Sequence, residues 1–183
     1  MRCGSLAAPG VDDQKISWRF RESFPKSSAV PKSSYRIGRS RSGFGLYATR
    51  EFRKRQYVVT YRGRRIRNEE ADRLEARGSR YMFEINSRWT IDGSKHWNKA
   101  RYVNHSCRPN VEAVERRGPI IVYVARRRIK PGEELTVDYG KDYFESFIGK
   151  SRCKCPKCRE RRAERQMKYR KRLRRAKNAR TKR

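Results

Sequence analysis

The sequence predicts one mainly β domain followed by a basic tail. The apolar residues between positions 35 and 140 fall in many short runs rich in β-branched and aromatic side chains, and glycine or proline separates these runs. Only one segment of this body has a helical pattern, so strands and helices do not alternate as they do in parallel α/β folds. We therefore expect several small sheets, little helix, and a C-terminal tail that is helical or disordered.

The first half of the chain contains an arm, a glycine turn and one helix. Residues 1–33 combine Ser, Pro and Gly with little periodicity, which predicts a mostly disordered arm. After Tyr35, a glycine turn at residues 43–45 precedes short strand-like runs. Residues 68–77, NEEADRLEAR, predict a helix that Asn68 caps at its N-terminus and Gly78 ends.

The second half of the body consists of further strands. The runs YMFEIN and RWTIDG predict a strand pair around a turn. The run IIVYVARRRI is apolar and rich in β-branched residues, and it predicts a strand between two Gly/Pro pairs. The run EELTVDYG predicts one more short strand.

The charge of the chain is concentrated in its tail. The formal net charge is +31, and residues 150–183 contain 18 Lys and Arg but two Glu. Apolar residues are too sparse in this tail to bury a helix face, which leaves a solvated helix or a segment that orders on a polyanion. We expect either non-specific nucleic-acid binding or a solvated arm without a specific role.

Cysteine spacing and hydropathy bear on the compartment. No run is as long and apolar as a membrane span, and the N-terminus lacks the apolar core of a secretory signal peptide. Three of the five cysteines form CKCPKC at 153–158, a spacing that suits a metal ion better than a disulfide framework. We therefore expect an intracellular monomer, in the cytoplasm or nucleoid of a bacterium or in a eukaryotic nucleus, with no membrane partner.

Four motifs in fixed order resemble a known family. They are GFG at 43–45, RYVNHSC at 101–107, ELTVDY at 134–139 and CKCPKC at 153–158. Together they resemble the SET-domain protein-lysine methyltransferases, in particular small stand-alone members with a Cys-rich post-SET segment. The resemblance implies transfer of a methyl group from S-adenosylmethionine to a protein lysine. It also implies a SET domain at 34–148 with knot-like C-terminal threading, a zinc lid at 149–160 and a basic tail at 161–183.

The resemblance further implies which residues form the site. Tyr139 would be the catalytic tyrosine, with Tyr61 as a second tyrosine beside the lysine channel. Tyr143, Phe144 and Phe147, in the C-terminal segment that the zinc site would hold over the active site, would be candidate channel walls. The implied cofactor-binding residues are Gly43, Phe44, Gly45, Tyr81, Arg101, Tyr102, Asn104 and His105. The implied ligands of a Zn²⁺ ion are Cys107, Cys153, Cys155 and Cys158.

Each motif taken alone also has a structural interpretation. Gly-Phe-Gly is an ordinary hairpin turn in most proteins, and a lone His105 or a buried tyrosine is more often a core residue. The three clustered cysteines could be redox-active or bind a metal without Cys107, which leaves Cys3 as a poorer fourth candidate.

Several positions depart from the family pattern and leave questions open. Thr60 and Arg64 stand where glutamates are usual, and Trp97-Asn98 replaces Gly-Asn. Val137 stands where Phe or Tyr is common, so the number of methyl groups transferred stays open. The lysine-containing substrate could be a histone, a histone-like DNA-binding protein, a ribosomal protein or the chain's own tail. The alternative function is a catalytically weak SET scaffold that binds nucleic acid or chromatin through the tail.

Overall fold

A computed structural model describes residues 33–118 and 120–181 of the chain. The N-terminal arm expected at 1–33 therefore lies almost entirely outside the described residues, as does Cys3. The strands of the described part, all short, are β1 Tyr35–Ser40, β2 Gly43–Ala48, β3 Tyr57–Tyr61, β4 Arg64–Arg67, β5 Met82–Glu84, β6 Trp89–Asp92, β7 Asn104–His105, β8 Val111–Arg116, β9 Ile120–Ala125 and β10 Thr136–Val137.

Helices occupy four places in the described part. Helix α1 spans Asn68–Ala76, and a 3₁₀ helix spans Lys99–Tyr102 just before β7. A short helical stretch follows β10, and we call its residues 141–152 the lid segment. It consists of α2 (Lys141–Tyr143), a π-helical turn (Phe144–Ile148) and α3 (Gly149–Arg152). The long helix α4 spans Pro156–Thr181.

The strands form four small sheets, as the sequence predicts for a mainly β body. β1 and β2 form a hairpin, β3, β9 and β8 form an antiparallel sheet in that order, and β4, β6 and β5 form another. The pair of β7 and β10 is parallel, because the chain returns from β9 to lie beside residues 104–105. This return is the part of the fold that corresponds to the knot-like threading expected of the family.

One apolar core unites these sheets. Side chains from the β1–β2 hairpin, the β3–β9–β8 sheet and the loops before and after β10 contribute to it. Its strands are rich in Val and Ile, which pack well on a pleated surface and explain why these runs become strands. The largest fully buried apolar side chains are Phe52, Leu46, Ile129, Leu135, Val103 and Val111.

Two local predictions are wrong in detail. Asn68 is the first residue of α1, and its buried side chain makes no cap hydrogen bond. Its Nδ2 donates to the carbonyl oxygen of Asn86 at 3.0 Å, and its Oδ1 accepts from the Thr90 hydroxyl at 2.8 Å. The predicted turn at residues 43–45 lies two residues earlier, at 41–42, and Gly43 begins β2. Gly78 does follow the helix end, with a φ of +98° that favours glycine.

The composition of the tail predicts either a solvated helix or a disordered segment, and the structure shows the helix. Helix α4 runs without a break from the cysteine segment into the basic tail, across the boundary expected at residue 160. Its apolar residues Met167, Tyr169 and Leu173 are all more than half exposed, so the helix buries no apolar stripe. Within the described residues, no helix combines the length and apolar character that crossing a membrane requires.

Candidate active site and metal centre

The parallel pair of β7 and β10 brings two of the four motifs together. Asn104 lies opposite Thr136 and His105 opposite Val137, and the Ser106 N–H donates to the Val137 carbonyl at 2.9 Å. Residues 104–107 and 136–139, which are about thirty positions apart in the sequence, therefore share one edge. The lid segment and the cysteines of 153–158 continue from this edge.

His105 lies at the centre of the junction, the name we give to the shared edge of residues 104–107 and 136–139. The Tyr139 N–H points at its Nδ1 from 3.3 Å, and its Nε2 lies 3.4 Å from the Cys107 sulfur. If Nδ1 accepts, the ring proton is on Nε2 and points at the sulfur. Burial lowers the pKa of His105, and Asp138 opposes this effect, so the imidazole is neutral at neutral pH. Because both ring nitrogens have protein partners, His105 is poorly placed to act as a general base.

Tyr139 heads a row of aromatic rings. Its hydroxyl donates to the Val103 carbonyl oxygen at 2.8 Å. Its ring meets the edge of Tyr143 at 5.1 Å between centroids, and Tyr143 lies 4.7 Å from Phe147. Phe144 of the same lid segment instead faces His105 at 5.0 Å and packs against the cysteines. The three candidate wall residues thus take two different positions.

Tyr61 lies deeper, on the other side of the site. Its side chain is 7% exposed, and its hydroxyl donates to the Tyr81 carbonyl oxygen at 2.8 Å. Burial, followed by the nearby Tyr139 phenol, raises the pKa of Tyr61 far above its usual value. Gly93 packs directly on this ring, since a Cβ at that position would collide with the phenol. Tyr61 therefore remains a neutral phenol near Tyr139.

Asn104 ties the GFG segment to the junction. Its Nδ2 donates to the Phe44 carbonyl at 2.9 Å and to Glu134 Oε1 at 2.7 Å. The Ser40 hydroxyl donates to the same Oε1 at 2.7 Å. A Cβ on Gly45 would overlap this carboxylate, so a larger residue here would displace Glu134 from its hydrogen bonds with Ser40 and Asn104. Gly45 thus allows a protein side chain to approach the hairpin backbone closely.

Arg101, Tyr81 and Tyr102 form a separate cluster on the hairpin side. The Arg101 guanidinium lies 3.8 Å from the centre of the Tyr81 ring and donates through Nη1 to the Ser94 carbonyl. Its Nε is buried and has no hydrogen-bond partner among the described residues. Tyr102 faces the edge of Phe44, whose side chain is 52% exposed, at 6.5 Å. The cluster thus presents a cation and exposed aromatic surface side by side.

The four predicted metal ligands lie together. The sulfur atoms of Cys107, Cys153, Cys155 and Cys158 are all within 4.8 Å of one another, and all four are free thiols. The Cys107 sulfur lies 3.6 Å from that of Cys158 and 4.0 Å from that of Cys153. A tetrahedral zinc site with bonds of about 2.3 Å needs sulfur–sulfur distances of about 3.8 Å, whereas a disulfide needs about 2.0 Å. The geometry therefore fits a four-thiolate zinc site.

The environment of these thiols differs from one to the next. Burial raises the pKa of Cys107 and Cys153, the latter to about 11. Burial also acts to raise the pKa of Cys155, but hydrogen bonds from the backbone of Cys107 and Cys158 and from the neighbouring thiols outweigh it and lower that pKa to about 7. Backbone N–H groups that point at a sulfur stabilise the thiolate form that binds a metal.

Comparison with known proteins identifies the family of the domain. The sequence matches the SET domain over residues 43–140, which is more than half of the chain. The chain belongs to the SET-domain family. The matched SET domain begins at the GFG segment and ends just after Tyr139, and the cysteines of 153–158 follow it in the place of a post-SET segment.

The curated relatives of this SET domain are much longer proteins. The chain is 42% identical over 135 residues to histone-lysine N-methyltransferase 2D of Homo sapiens, which covers 68% of this chain and 2% of that protein. It is 34% identical over 111 residues to histone-lysine N-methyltransferase SUV39H1 of Xenopus laevis, covering 53% of this chain and 26% of that protein. The chain thus spans a small part of the length of these relatives.

Solved structures of the same fold agree with this assignment. The SET domain superimposes on the crystal structure of the Chaetomium thermophilum polycomb repressive complex 2 with a TM-score of 0.56 and 27% identity, covering 60% of this chain and 16% of that chain. A humanized mutant of that complex bound to the inhibitor GSK126 gives a TM-score of 0.55 and 28% identity, covering 59% and 15%.

Three residues important to the geometry of the SET domain escaped the sequence analysis. Glu134 was noticed only as part of a strand, although it holds both Ser40 and Asn104. Asn98, named only as the neighbour of the departure at Trp97, is fully buried, accepts from the Arg62 N–H at 3.1 Å and donates to the Gly93 carbonyl at 3.0 Å. Asn110 joins the same return of the chain by donating to the Glu134 carbonyl at 2.8 Å. The sequence signal that could have revealed these three residues was a polar side chain inside an apolar run or a motif.

Proposed function

We propose that this chain transfers a methyl group from S-adenosylmethionine to a lysine side chain of a protein. The observation that carries the proposal is the position of Tyr139. Its backbone is beside His105, its ring begins the aromatic row of the lid segment, and its hydroxyl is held by Val103. The family relationship to proteins named histone-lysine N-methyltransferases supports the same reaction class.

The residues around this junction fit the proposed cofactor. S-adenosylmethionine, when bound, supplies a methyl group on a sulfonium sulfur. Its amino-acid end carries a carboxylate, for which the partly unsatisfied Arg101 guanidinium is a suitable partner. The hairpin residues Gly43, Phe44 and Gly45 and the β7 residues Asn104 and His105 would hold the remainder, with Tyr81 and Tyr102 as aromatic neighbours.

The aromatic row would prepare the lysine. A lysine ammonium has no lone pair, so the amine must lose a proton before it can react. Burial among the rings of Tyr139, Tyr143 and Phe147 would lower the lysine pKa because it disfavours the charged form. The same rings would restrict the direction of the side chain, and such positioning contributes much of the rate acceleration in reactions of this kind.

Tyr139 would orient the amine rather than remove its proton. Its hydroxyl proton is donated to the Val103 carbonyl, so the phenolic oxygen would meet the amine only as an acceptor. An oxygen in this state can accept a hydrogen bond from the amine. Tyr61, a buried neutral phenol near Tyr139, would form the wall opposite and fix the end of the channel.

The four cysteines would hold a zinc ion that fixes the lid segment. Phe144 contacts both His105 and the cysteine cluster, so this ion would act on the position of the aromatic row through the backbone of the lid. Structural zinc sites contribute directly to folding. The ion would therefore have a structural role in the proposed enzyme.

The substrate we propose is a basic protein associated with nucleic acid, such as a histone. The strong positive charge of this chain repels an isolated basic peptide, whereas a nucleic acid that binds both proteins neutralises that repulsion. The test is incubation of the full chain with radiolabelled S-adenosylmethionine and, in parallel, histone octamers, nucleosomes and a whole-cell lysate. We expect labelled methyllysine after acid hydrolysis. Label found only in methylarginine, or no transfer to any of the three, would overturn the proposal.

A further inference from the structure

We propose that helix α4 binds duplex DNA by lying in the major groove. The feature that motivates this proposal is the composition of α4, whose 26 residues include thirteen Lys and Arg but only two Glu. Most of the length of this helix is exposed to solvent. At 1.5 Å per residue this helix is about 39 Å long. A partner for it must supply many negative charges over a comparable length.

The charges lie on all sides of α4. Consecutive helical residues point about 100° apart, so Arg170, Lys171 and Arg172 already face three different directions. Like charges four residues apart, such as Arg170 with Arg174 and Lys171 with Arg175, repel one another in the free helix. A polyanion that surrounds the helix would relieve this repulsion on every side.

This distribution favours a groove over a flat surface. The major groove of B-form DNA is about 12 Å wide, admits an α-helix, and has phosphates along both of its edges. Membrane-surface helices instead need one apolar face, and in α4 the exposed Met167 and Tyr169 point about 200° apart. A-form RNA has a deep, narrow major groove that does not admit a helix. The chemistry on the helix therefore matches duplex DNA best.

The base of α4 is fixed to the domain. Cys158 of the four-cysteine cluster is in its first turn, and Arg162 donates to the carbonyl oxygens of Cys153 at 2.6 Å and Lys150 at 3.1 Å. A cavity of about 490 Å³ beside this base is lined in part by Lys150, Arg161, Arg162 and Arg165, so basic surface continues from the helix onto the lid segment. A fixed helix loses less entropy on binding than a disordered tail does.

The test measures binding of the full chain to a fluorescein-labelled 24-base-pair duplex by anisotropy over a range of salt concentrations. One variant replaces four exposed α4 residues by glutamine, which keeps helix propensity: Arg170→Gln, Lys171→Gln, Arg174→Gln and Arg175→Gln. The matched control removes the same number of exposed charges from the body: Arg53→Gln, Lys54→Gln, Arg116→Gln and Arg117→Gln. Circular dichroism verifies that both variants keep their helix content.

We expect the α4 variant to bind at least about tenfold more weakly at physiological salt. The slope of the logarithm of the binding constant against the logarithm of the salt concentration should fall by an amount equivalent to about three to four phosphate contacts. The control should stay within about threefold of the wild type. Equal losses in both variants would overturn the proposal, because the charge would then act without regard to position. Tyr139→Phe should bind DNA as the wild type does. The DNA-binding proposal can therefore fail or hold independently of the proposed methyl transfer.

Four further measurements test the groove. Distamycin, which occupies the minor groove, should leave the dissociation constant within about twofold, whereas a duplex with glucosylated 5-hydroxymethylcytosine in its major groove should bind at least about tenfold more weakly. An RNA duplex of the same sequence and polyglutamate of matched charge should both bind more weakly than the DNA. Equal binding of the RNA, equal binding of polyglutamate, or sensitivity to distamycin alone would each overturn the assignment.

Discussion

The hydroxyl of Tyr139 donates a hydrogen bond of 2.8 Å to the backbone carbonyl of Val103, the residue that precedes Asn104. This contact joins the end of the β10 segment to the start of β7 at the point where the two motifs meet. It also fixes the direction of the phenolic proton, so that any further contact of this oxygen is made as an acceptor. The acceptor role proposed for Tyr139 depends on this one relationship.

Replacement of Tyr139 by phenylalanine should therefore remove most of the methyl transfer. The ring remains, but the acceptor oxygen is lost, and a positioned polar group of this kind typically contributes about 100-fold or more to the rate. We expect kcat to fall by at least about 100-fold with a smaller change in the KM for peptide. The lost hydrogen bond to Val103 contributes about 1 kcal/mol, so the melting temperature should fall by no more than about 4 °C.

Tyr47 provides the matched control for that substitution. Its hydroxyl also donates to a backbone carbonyl, that of Arg39 at 2.6 Å, but on the exposed hairpin. Tyr47→Phe should keep kcat within about twofold of the wild type. Full activity in Tyr139→Phe would remove the catalytic assignment, and equal loss in both variants would indicate an effect on the fold.

The four-cysteine cluster predicts about one zinc ion per chain. Because the Cys107 sulfur lies within 4.0 Å of two of the other three, Cys107→Ser should disrupt the tetrahedral set and lower the bound zinc to less than about half. Inductively coupled plasma mass spectrometry measures the content, and hydrogen exchange should show lost protection over residues 153–162. A chelator should reproduce both effects in the wild type.

The fifth cysteine serves as the control for the metal site. Cys3 is far from the others in sequence, and Cys3→Ser should keep the zinc content of the wild type. Unchanged zinc in Cys107→Ser would exclude Cys107 from the ligand set. Loss of zinc in Cys3→Ser would show that the arm contributes a ligand in its place.

The outcome of the sequence analysis depends on how far apart the interacting residues are. The strand runs and the end of α1 at Gly78 follow from neighbouring residues, and the structure confirms them. Asn68 was wrongly assigned as a cap because its true partners, Asn86 and Thr90, lie 18 and 22 positions away. A local pattern contains no information about them.

The site could be predicted only as far as its motifs reach. The grouping of Cys107 with the later cysteines followed from the family resemblance, and the structure brings these four together. The contact of His105 with Tyr139 was not predicted. The role of Glu134 was missed, since its contacts with Ser40 and Asn104 span 94 and 30 positions. Composition could not decide whether α4 is helical, because charge repulsion opposes the helix while Ala, Arg and Glu favour it.

The stabilisation that buried Tyr61 contributes to the fold should be lost progressively at alkaline pH. Burial, and then the neighbouring Tyr139 phenol, raises the pKa of Tyr61 above the usual value near 10, so the folded chain keeps a proton that the unfolded chain loses. The stability is present below pH 10 and falls by about 1.4 kcal/mol for each pH unit above it. The free energies of unfolding of the wild type and Tyr61→Phe can be measured with urea. The difference between them should shrink by about 1.4 kcal/mol between pH 9 and pH 11.

Tyr57 is the control for this titration, since its ring is 50% exposed and its hydroxyl contacts Thr60. Tyr57→Phe should retain the alkaline slope of the wild type. Parallel pH profiles for the wild type and Tyr61→Phe would contradict the buried-phenol assignment, because other groups would then account for the loss of stability.

Glu134 should control cofactor affinity through Asn104. Its Oε1 accepts hydrogen bonds from both Asn104 Nδ2 and the Ser40 hydroxyl at 2.7 Å. Glu134→Ala leaves the Asn104 amide without this acceptor, a loss of roughly 0.5–1.5 kcal/mol, so we expect the Kd for S-adenosylmethionine to rise between about twofold and 13-fold in calorimetry. Glu134→Gln keeps an acceptor oxygen and should retain most of the affinity.

A double-mutant cycle distinguishes this positioning role from a general loss of stability. If Glu134 acts by orienting the Asn104 amide, adding Glu134→Ala to Asn104→Ala should change the Kd by less than about twofold, although each change alone weakens binding. Glu133→Ala is the neighbouring control, because that carboxylate pairs with the exposed Arg127 at 2.6 Å and should leave the Kd unchanged. Additive effects of the two substitutions would show that Glu134 acts on the cofactor site by a route independent of Asn104.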